Sequence, residues 1–265
     1  FFNRKSKKIL FVSQPLYAIY YIFLNKFILI ANDCHYGLPK VSNLKLFLEK
    51  LVIKNVSSII HRDLRLWKIY KNKLRNKKNL LIPDFLEISE INQLESKKIQ
   101  MSENIHAVVL GWVDEKEVQV TDTVYKLLKL GANITFYIPE NCFEEILVFY
   151  NNIKKNYNSQ IKFKKFINHK EMISDISKYH IGICPHSKKN SQISRIYREN
   201  CSSSRVIDYI NAKLTILLSK KAFFQRYIIR SYNLKPMNIF DIDTIKDKSE
   251  LENILKLKNN SIVLK

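Results

Sequence analysis

Two clusters of side chains carry residue types suited to chemistry on an anionic substrate. The first is the stretch 202–219, SSSRVIDYINAKLTILLS. Ser202, Ser203 and Ser204 run into apolar residues at helical spacing, Val206, Ile207, Tyr209 and Ile210, and then into a β-rich run at 214–218. Hydroxyl residues in that place cap a helix N-terminus. Arg205 then falls in the first turn, where a cation opposes the helix dipole, and an anion bound there relieves the conflict. Asp208, one turn on, is a carboxylate able to accept hydrogen bonds from two hydroxyls. The second cluster is Asn32-Asp33-Cys34-His35, which directly follows the continuous apolar run 27–31. A histidine titrates near neutral pH and is suited to proton transfer. Three further groups sit where apolar runs end: Gly111 with the charged loop holding Lys116, His186 with Lys188, and His61-Arg62-Asp63. His169 and His180 are read as structural.

These positions need a scaffold that ends strands in loops. Apolar runs predict strands at 8–13, 27–31, 57–61, 80–83, 107–110, 134–138, 161–167, 180–185 and 214–218. Between them lie helix predictions at 16–24, 42–55, 64–74, 121–130, 143–152, 171–178 and 222–230, an amphipathic turn or two at 206–210, and a polar, basic helix in the last twenty residues. In the second of these, Leu44, Phe47, Leu48, Leu51 and Val52 recur at helix spacing, and Ser42 is placed to cap it. Gly131 stands where a helix stops. Strands alternating with helices imply parallel α/β sheets, whose ligand loops lie at the carboxyl ends of the strands. Residues 84–104 are polar and aperiodic and are expected to link two domains, 1–100 and 101–265.

The 265 residues carry 45 Lys and Arg against 24 Asp and Glu, a formal charge of +21. With only 4 Gly and abundant Lys, Asn and Ile, the composition matches an AT-rich coding bias. The charge is therefore read first as solvated surface, next as affinity for an anionic membrane or substrate, and third for nucleic acid. The 4 cysteines, Cys34, Cys142, Cys184 and Cys201, form no CxxC pair, which points to reduced thiols rather than a structural zinc or disulfide framework. No signal-peptide pattern and no uninterrupted membrane span stands out. No Walker-type loop and no GxSxG elbow is present.

In order and spacing, several stretches resemble the retaining-type glycosyltransferases of the GT-B fold, the group 1 or family 4-like enzymes. In the first half these are FILIANDCHYGLP (27–39), LFLEKLVIKNVSSIIHRD (46–63) and LLIPD (80–84). In the second they are VVLGWVDEK (108–116), LLKLGANITFYIP (127–139), IKFKKFINHKEMISDISKYHIGICP (161–185) and SSSRVIDYINAKLTILLS (202–219). The resemblance covers nearly the whole chain from Lys8. It departs from the family in three places. The Gly-rich first loop has no counterpart, the usual Glu of the donor motif is Asp208, and the glycine before the last strand of that motif is Lys213.

The resemblance implies two Rossmann-like domains, an acceptor-side domain over 1–100 that is incomplete and begins at Phe1 rather than Met, and a nucleotide-sugar-binding domain over 101–265. It implies a hexosyltransferase-type enzyme that moves a sugar from a nucleotide-sugar donor to a glycan or lipid-linked acceptor, as in polysaccharide biosynthesis. Gly111, Lys116, His186, Ser204, Arg205 and Asp208 are then donor-binding, and Asp33 and His35 are catalytic residues on the acceptor side. No cofactor and no metal are expected, because basic side chains and helix N–H groups meet the charge of the leaving diphosphate. The protein is expected in the cytoplasm, with peripheral contact to an anionic membrane and no nucleic acid partner. Two alternatives stand beside this. One is a catalytically inactive protein of the same fold. The other is a basic α/β nucleic-acid-binding module using segment 62–79, in which Trp67 and Tyr70 interleave with Lys and Arg.

Overall fold

The computed structural model describes residues 9–12, 15–21, 27–31, 41–83, 104–111, 120–184, 192–231, 239–241 and 244–260. Its strands are β1 (Ile9–Val12), β2 (Ile28–Ala31), β3 (Ser58–His61), β4 (Lys78–Leu81), β5 (His106–Leu110), β6 (Asn133–Ile138), β7 (Ile161–Lys165), β8 (Ile181–Cys184), β9 (Thr215–Leu218) and β10 (Ile239–Asp241). Its helices are α1 (Asn43–Asn55), α2 (Leu64–Leu74), α3 (Val120–Lys129), α4 (Phe143–Tyr157), α5 (His169–Ile176), α6 (Gln192–Asn200), α7 (Ser204–Asn211), α8 (Phe223–Ser231) and α9 (Lys248–Asn260), with 3-10 helices at Pro15–Tyr21 and Glu140–Cys142. The chain forms two compact units, Phe1–Asp84 with Lys189–Ser202, and Phe85–Lys188 with Ser203–Lys265. The predicted linker lies outside the described residues except for Asn104.

The first unit holds a parallel sheet in the order β1-β2-β3-β4. Its strands are pleated, so alternate residues share a face. Leu29, Ala31 and Ile59 are buried in a core with Val52, Ile53, Val56, Leu66, Tyr70 and Leu74 from α1 and α2. Ser42 caps α1 as expected, accepting the Lys45 N–H at 3.3 Å. The buried side of α1 is not the expected one. Glu49, Val52 and Ile53 face the core, while Leu44 and Phe47 are exposed. The helix carries two apolar stripes, and periodicity alone does not rank them. Glu49 can turn inward because the Tyr70 hydroxyl donates to its Oε1 at 2.5 Å. Tyr70 is therefore a core residue, which removes it from the interleaved aromatic stripe that a nucleic-acid module would need.

A buried carboxylate ties the returning segment to this unit. Asp63 caps α2, accepting the Arg65 N–H at 2.9 Å, and its other oxygen takes the Arg65 guanidinium at 2.8 Å. The same Oδ2 accepts the Ser202 N–H at 3.0 Å. The Arg65 guanidinium in turn lies 4.8 Å from the centre of the Tyr197 ring, on α6. The sequence reading places Lys189–Ser202 in the second domain and finds no helix there, whereas in the structure it packs with the first unit. The signal was short: Ile193, Ile196 and Tyr197 at helix spacing between polar residues. His61 is buried beside this group, its Nδ1 2.6 Å from the Asp63 carbonyl, so His61-Arg62-Asp63 is a structural corner. Two other elements of this unit differ in extent by two residues or more. The helix predicted at 16–24 is a 3-10 helix over Pro15–Tyr21, and β4 begins two residues earlier than predicted because Ser58 pairs with Lys78.

The second unit is a six-stranded parallel sheet in the order β10-β9-β8-β5-β6-β7. Every residue of β8 and β9 is buried, as expected for strands covered on both faces. Ile134, Phe136 and Ile138 of β6 join Val124, Leu127 and Leu128 of α3 and Leu251 of α9 in its core. Gly131 ends the α3 turn at φ 82°, in the left-handed region that favours glycine. At the sheet edge Asp175 of α5 is held by Lys164 of β7 at 2.7 Å, by the Tyr137 hydroxyl of β6 and by Lys178 at 3.1 Å. Burial pushes the Asp175 carboxyl up, but these donors outweigh it and hold the group at about 2.

Two outcomes follow. Asp63→Ala takes from the buried Arg65 the carboxylate it is paired with and is expected to destabilise the first unit by about 3–5 kcal/mol in urea unfolding. The folded pKa of Asp175 lies below the unfolded carboxylate value, so its contribution is complete above about pH 4 and is lost as the pH falls towards 2. Acid unfolding of Asp175→Asn should show less of the wild-type loss of stability across that window.

Candidate functional site at the fork between β5 and β8

Numbered within the second unit, the sheet order is 6-5-4-1-2-3. The chain starts in the middle, builds outward through β6 and β7, then returns to the other side of β5 with β8. Ligands of doubly wound sheets bind outside the carboxyl ends of the strands at such a reversal. Here the paired register of β5 with β8 runs over Ala107 with Ile181 and Val108 with Gly182.

A tyrosine from α7 fills the fork. The Tyr209 hydroxyl accepts the Leu110 N–H at 3.0 Å and donates to the carbonyls of Ile183 at 3.0 Å and Val108 at 3.2 Å. One phenol thus serves polar groups of both strands, and its one proton is shared between two carbonyls. Burial pushes the Tyr209 pKa far above its ordinary value, so the phenol remains a donor. The ring lies against Gly182, where any Cβ would overlap it. Sequence reading assigned Tyr209 only to an apolar helix face. The glycine inside a β-rich run was the available signal, because such a glycine marks a close approach.

With α7 anchored in this way, its first turn meets the end of β5. Gly111 sits at φ 83° directly after β5, and its N–H donates to the Tyr137 carbonyl at 2.9 Å. The Arg205 Nη2 lies 3.5 Å from where a Cβ on Gly111 would stand. Gly111 and Arg205, 94 positions apart in the sequence, are therefore neighbours. Ser204 is exposed at the start of α7, while Arg205 and Asp208 are partly exposed. The N-cap is Ser203, and its side chain makes no capping hydrogen bond among the described residues. Capping by the serines, expected from the sequence, is thus not seen there, and the Ser202 N–H is used by Asp63 in the first unit.

Asp208 has a partner that the sequence reading passed over. The His169 Nε2, at the start of α5, lies 2.9 Å from Asp208 Oδ1. The sequence alone presents His169 as structural, yet its side chain is 61% exposed and meets the one carboxylate of the donor-like motif. The two residues are 39 apart in sequence, and only the packing of α5 on α7 brings them together. At the other end of α7, Lys213 takes the place expected for glycine and has φ 53°. Its N–H donates to the Ile210 carbonyl at 2.9 Å and the Leu214 N–H to the Tyr209 carbonyl at 3.0 Å. This helix stop usually uses glycine, and a lysine there costs about 1 kcal/mol in backbone strain.

Asp33, His35, Lys116 and His186 lie outside the described residues. Cys184 and Cys201 are not in disulfides. No group of three His, Cys, Asp or Glu among the described residues is placed to hold a metal ion.

Tyr209→Phe leaves the Leu110 N–H without its acceptor in a dry site. It is expected to lower stability by about 1–3 kcal/mol and to speed amide exchange at Leu110. An unchanged exchange rate at Leu110 would show that the phenol does not hold the fork.

Neither a protein-family model nor a curated protein sequence matches the chain. Solved structures do. The chain aligns with the lipopolysaccharide outer core galactosyltransferase WaaB at a TM-score of 0.60 and 9% identity, over 96% of this chain and 68% of that one. It aligns with TarM at a TM-score of 0.56 and 12% identity, over 96% of this chain and 48% of TarM, so it spans about half of TarM. At such identities the likeness concerns the fold alone. That fold is the one expected from the sequence: α/β, with two parallel sheets in Rossmann-like domains of the GT-B type.

Proposed function

We propose that the chain is a glycosyltransferase that moves a hexosyl group from a nucleotide-sugar donor to a glycan or lipid-linked acceptor in the cytoplasm. The observation that carries this reading is the approach of Arg205 to Gly111 at the reversal point of the second sheet. Glycosyl transfer breaks the bond between the anomeric carbon and the donor phosphate. The electron pair leaves with the diphosphate while the sugar gains oxocarbenium character. Arg205 and the positive end of the α7 dipole, next to Ser204, face that growing negative charge and stabilise it. This arrangement also gives Arg205 the anion that its place in the first turn calls for. Gly111 lets the phosphates approach the β5 backbone closely, since a side chain there would meet Arg205.

Asp208 accepts hydroxyl hydrogen bonds from the donor, and His169 holds the carboxylate in position. Lys116 and His186 complete the donor side, and Asp33 and His35 work on the acceptor side, on the strength of the sequence resemblance. The new bond forms between the acceptor oxygen and the anomeric carbon, and the acceptor proton passes to His35 or to the leaving diphosphate. The reaction as written calls for no metal, because fixed cations and backbone N–H groups carry the charge. Peripheral contact with an anionic membrane would suit a lipid-linked acceptor.

A thermal-shift screen with UDP-, GDP-, ADP- and CMP-sugars tests the donor assignment. A donor at 100 times its Kd is expected to stabilise the protein by about 2.7 kcal/mol. Arg205→Ala should weaken that ligand by about 1.5–3 kcal/mol, the range for a hydrogen bond to a charged group. No shift with any of the four would leave an inactive protein of this fold as the better reading.

A further inference from the structure

We infer that the outer face of α8 is a platform for a glycan chain that carries acidic groups. It uses none of the residues assigned to the donor, and the choice of a glycan among polyanions rests on the transferase reading above. Helix α8 buries Phe224, Gln225, Ile228 and Ile229. Arg226 fixes it to the end of β9, donating to the carbonyls of Ser219 at 3.3 Å and Leu218 at 3.4 Å. The opposite side of the helix presents two aromatic rings, Phe223, 60% exposed, and Tyr227, 62% exposed. Being four residues apart, they are neighbours on one stripe, about 6 Å apart along the helix axis. Arg230 falls on the same stripe and is exposed.

The Tyr227 ring is held in one plane. It stacks on the buried Phe224, with ring centres 6.2 Å apart and planes at 22°. The inner ring thus sets the orientation of the outer one, whose other face is open to solvent. Local structure does not call for these residues. At exposed helix positions Phe and Tyr are weaker helix formers than Lys, Glu or Ala, and their open rings forgo the gain of burial.

The charge around the rings is one-sided. Residues 209–240 contain 6 Lys and Arg and no Asp or Glu. Lys220 and Lys221 are exposed just before α8, and Arg230 stands in its last turn. An aromatic ring is negative on its face, and the C–H bonds on the flat side of a sugar ring carry partial positive charge, so a sugar lies flat on such a face. A guanidinium binds a carboxylate or phosphate through two parallel hydrogen bonds. Two fixed rings beside Arg230 therefore suit a chain in which flat sugar faces recur with acidic groups. A neutral glycan would leave the cations unused. A single strand of nucleic acid carries a charge on every nucleotide and needs many cations interleaved with the rings, whereas Arg226, the cation between the two rings in sequence, is engaged by strand carbonyls.

Calorimetric titration of the full chain with polygalacturonate oligomers tests the proposal. Dextran serves as the uncharged glycan, polyphosphate as charge without sugar, and poly(U) as nucleic acid. Polygalacturonate is expected to bind about tenfold or more tightly than dextran. Phe223→Ser with Tyr227→Ser should weaken polygalacturonate about tenfold or more and leave polyphosphate binding unchanged. Tyr227→Trp keeps an aromatic face and should keep the binding. Arg230→Ala should cost about tenfold. If the double serine variant lowers the thermal midpoint, Tyr227→Trp and Arg230→Ala carry the test. Polygalacturonate binding that survives loss of both rings, or that is untouched by Arg230→Ala, overturns the proposal. So does dextran binding as tight as polygalacturonate, or poly(U) binding that is tighter than both and lost with the rings. The donor-induced thermal shift, measured on the same variants, separates the two readings. A donor shift without glycan binding removes the platform alone, and ring-dependent glycan binding without any donor shift removes the transferase reading alone.

Discussion

The second unit depends on one phenol. Where β5 and β8 part, Leu110, Val108 and Ile183 present polar backbone groups that a buried sheet cannot leave unpaired. Tyr209 satisfies them from α7, and Gly182 supplies the space for its ring. The consequence reaches the functional end of the sheet. A helix pinned by its sixth residue to two strands has little freedom left at its first turn, and so Arg205 is held over Gly111. The donor assignment is thus an outcome of packing as much as of residue type.

Much of this was legible in the sequence. Continuous apolar runs such as 107–110 and 214–218 gave the buried strands, and 3.6-residue spacing gave α2, α3 and α8 close to their observed limits and the apolar face of α7. What failed has physical reasons. Residues 44–55 hold two apolar stripes, and which one is buried was decided by a long-range bond, Tyr70 to Glu49, that no local pattern encodes. Helix α6 is short and polar, and its attachment to the first unit rests on Asp63 receiving the Ser202 amide from 139 residues away. In the candidate site, that Ser204, Arg205 and Asp208 lie close together was readable because they share one helix. His169 was not, because its relation to Asp208 exists only once α5 packs on α7.

The two departures from the donor motif have different structural meanings. Lys213 keeps the helix stop that glycine would provide and bears the strain of a positive φ, so the backbone path into β9 is preserved. Asp208 is shorter than the usual Glu by one methylene, and in this chain its carboxylate is engaged by an exposed histidine. The first change concerns backbone strain and the second concerns a side-chain pairing between α5 and α7. The charge distribution separates the units in the same way. The first unit combines exposed lysines with open apolar side chains, while the second places Arg205 and Asp208 near each other at a sheet end.

The most direct test is hydrogen–deuterium exchange of the full chain, with and without each of a set of nucleotide-sugars at saturating concentration. If the fork and the first turn of α7 hold the donor, one of these ligands will slow exchange at Leu110 and Gly111 and across Ser204 to Asp208. Exchange at Asn104 to His106, at the opposite end of the same sheet, will not change. Protection confined to that opposite end, or no protection at the fork from any ligand in the set, would contradict the account.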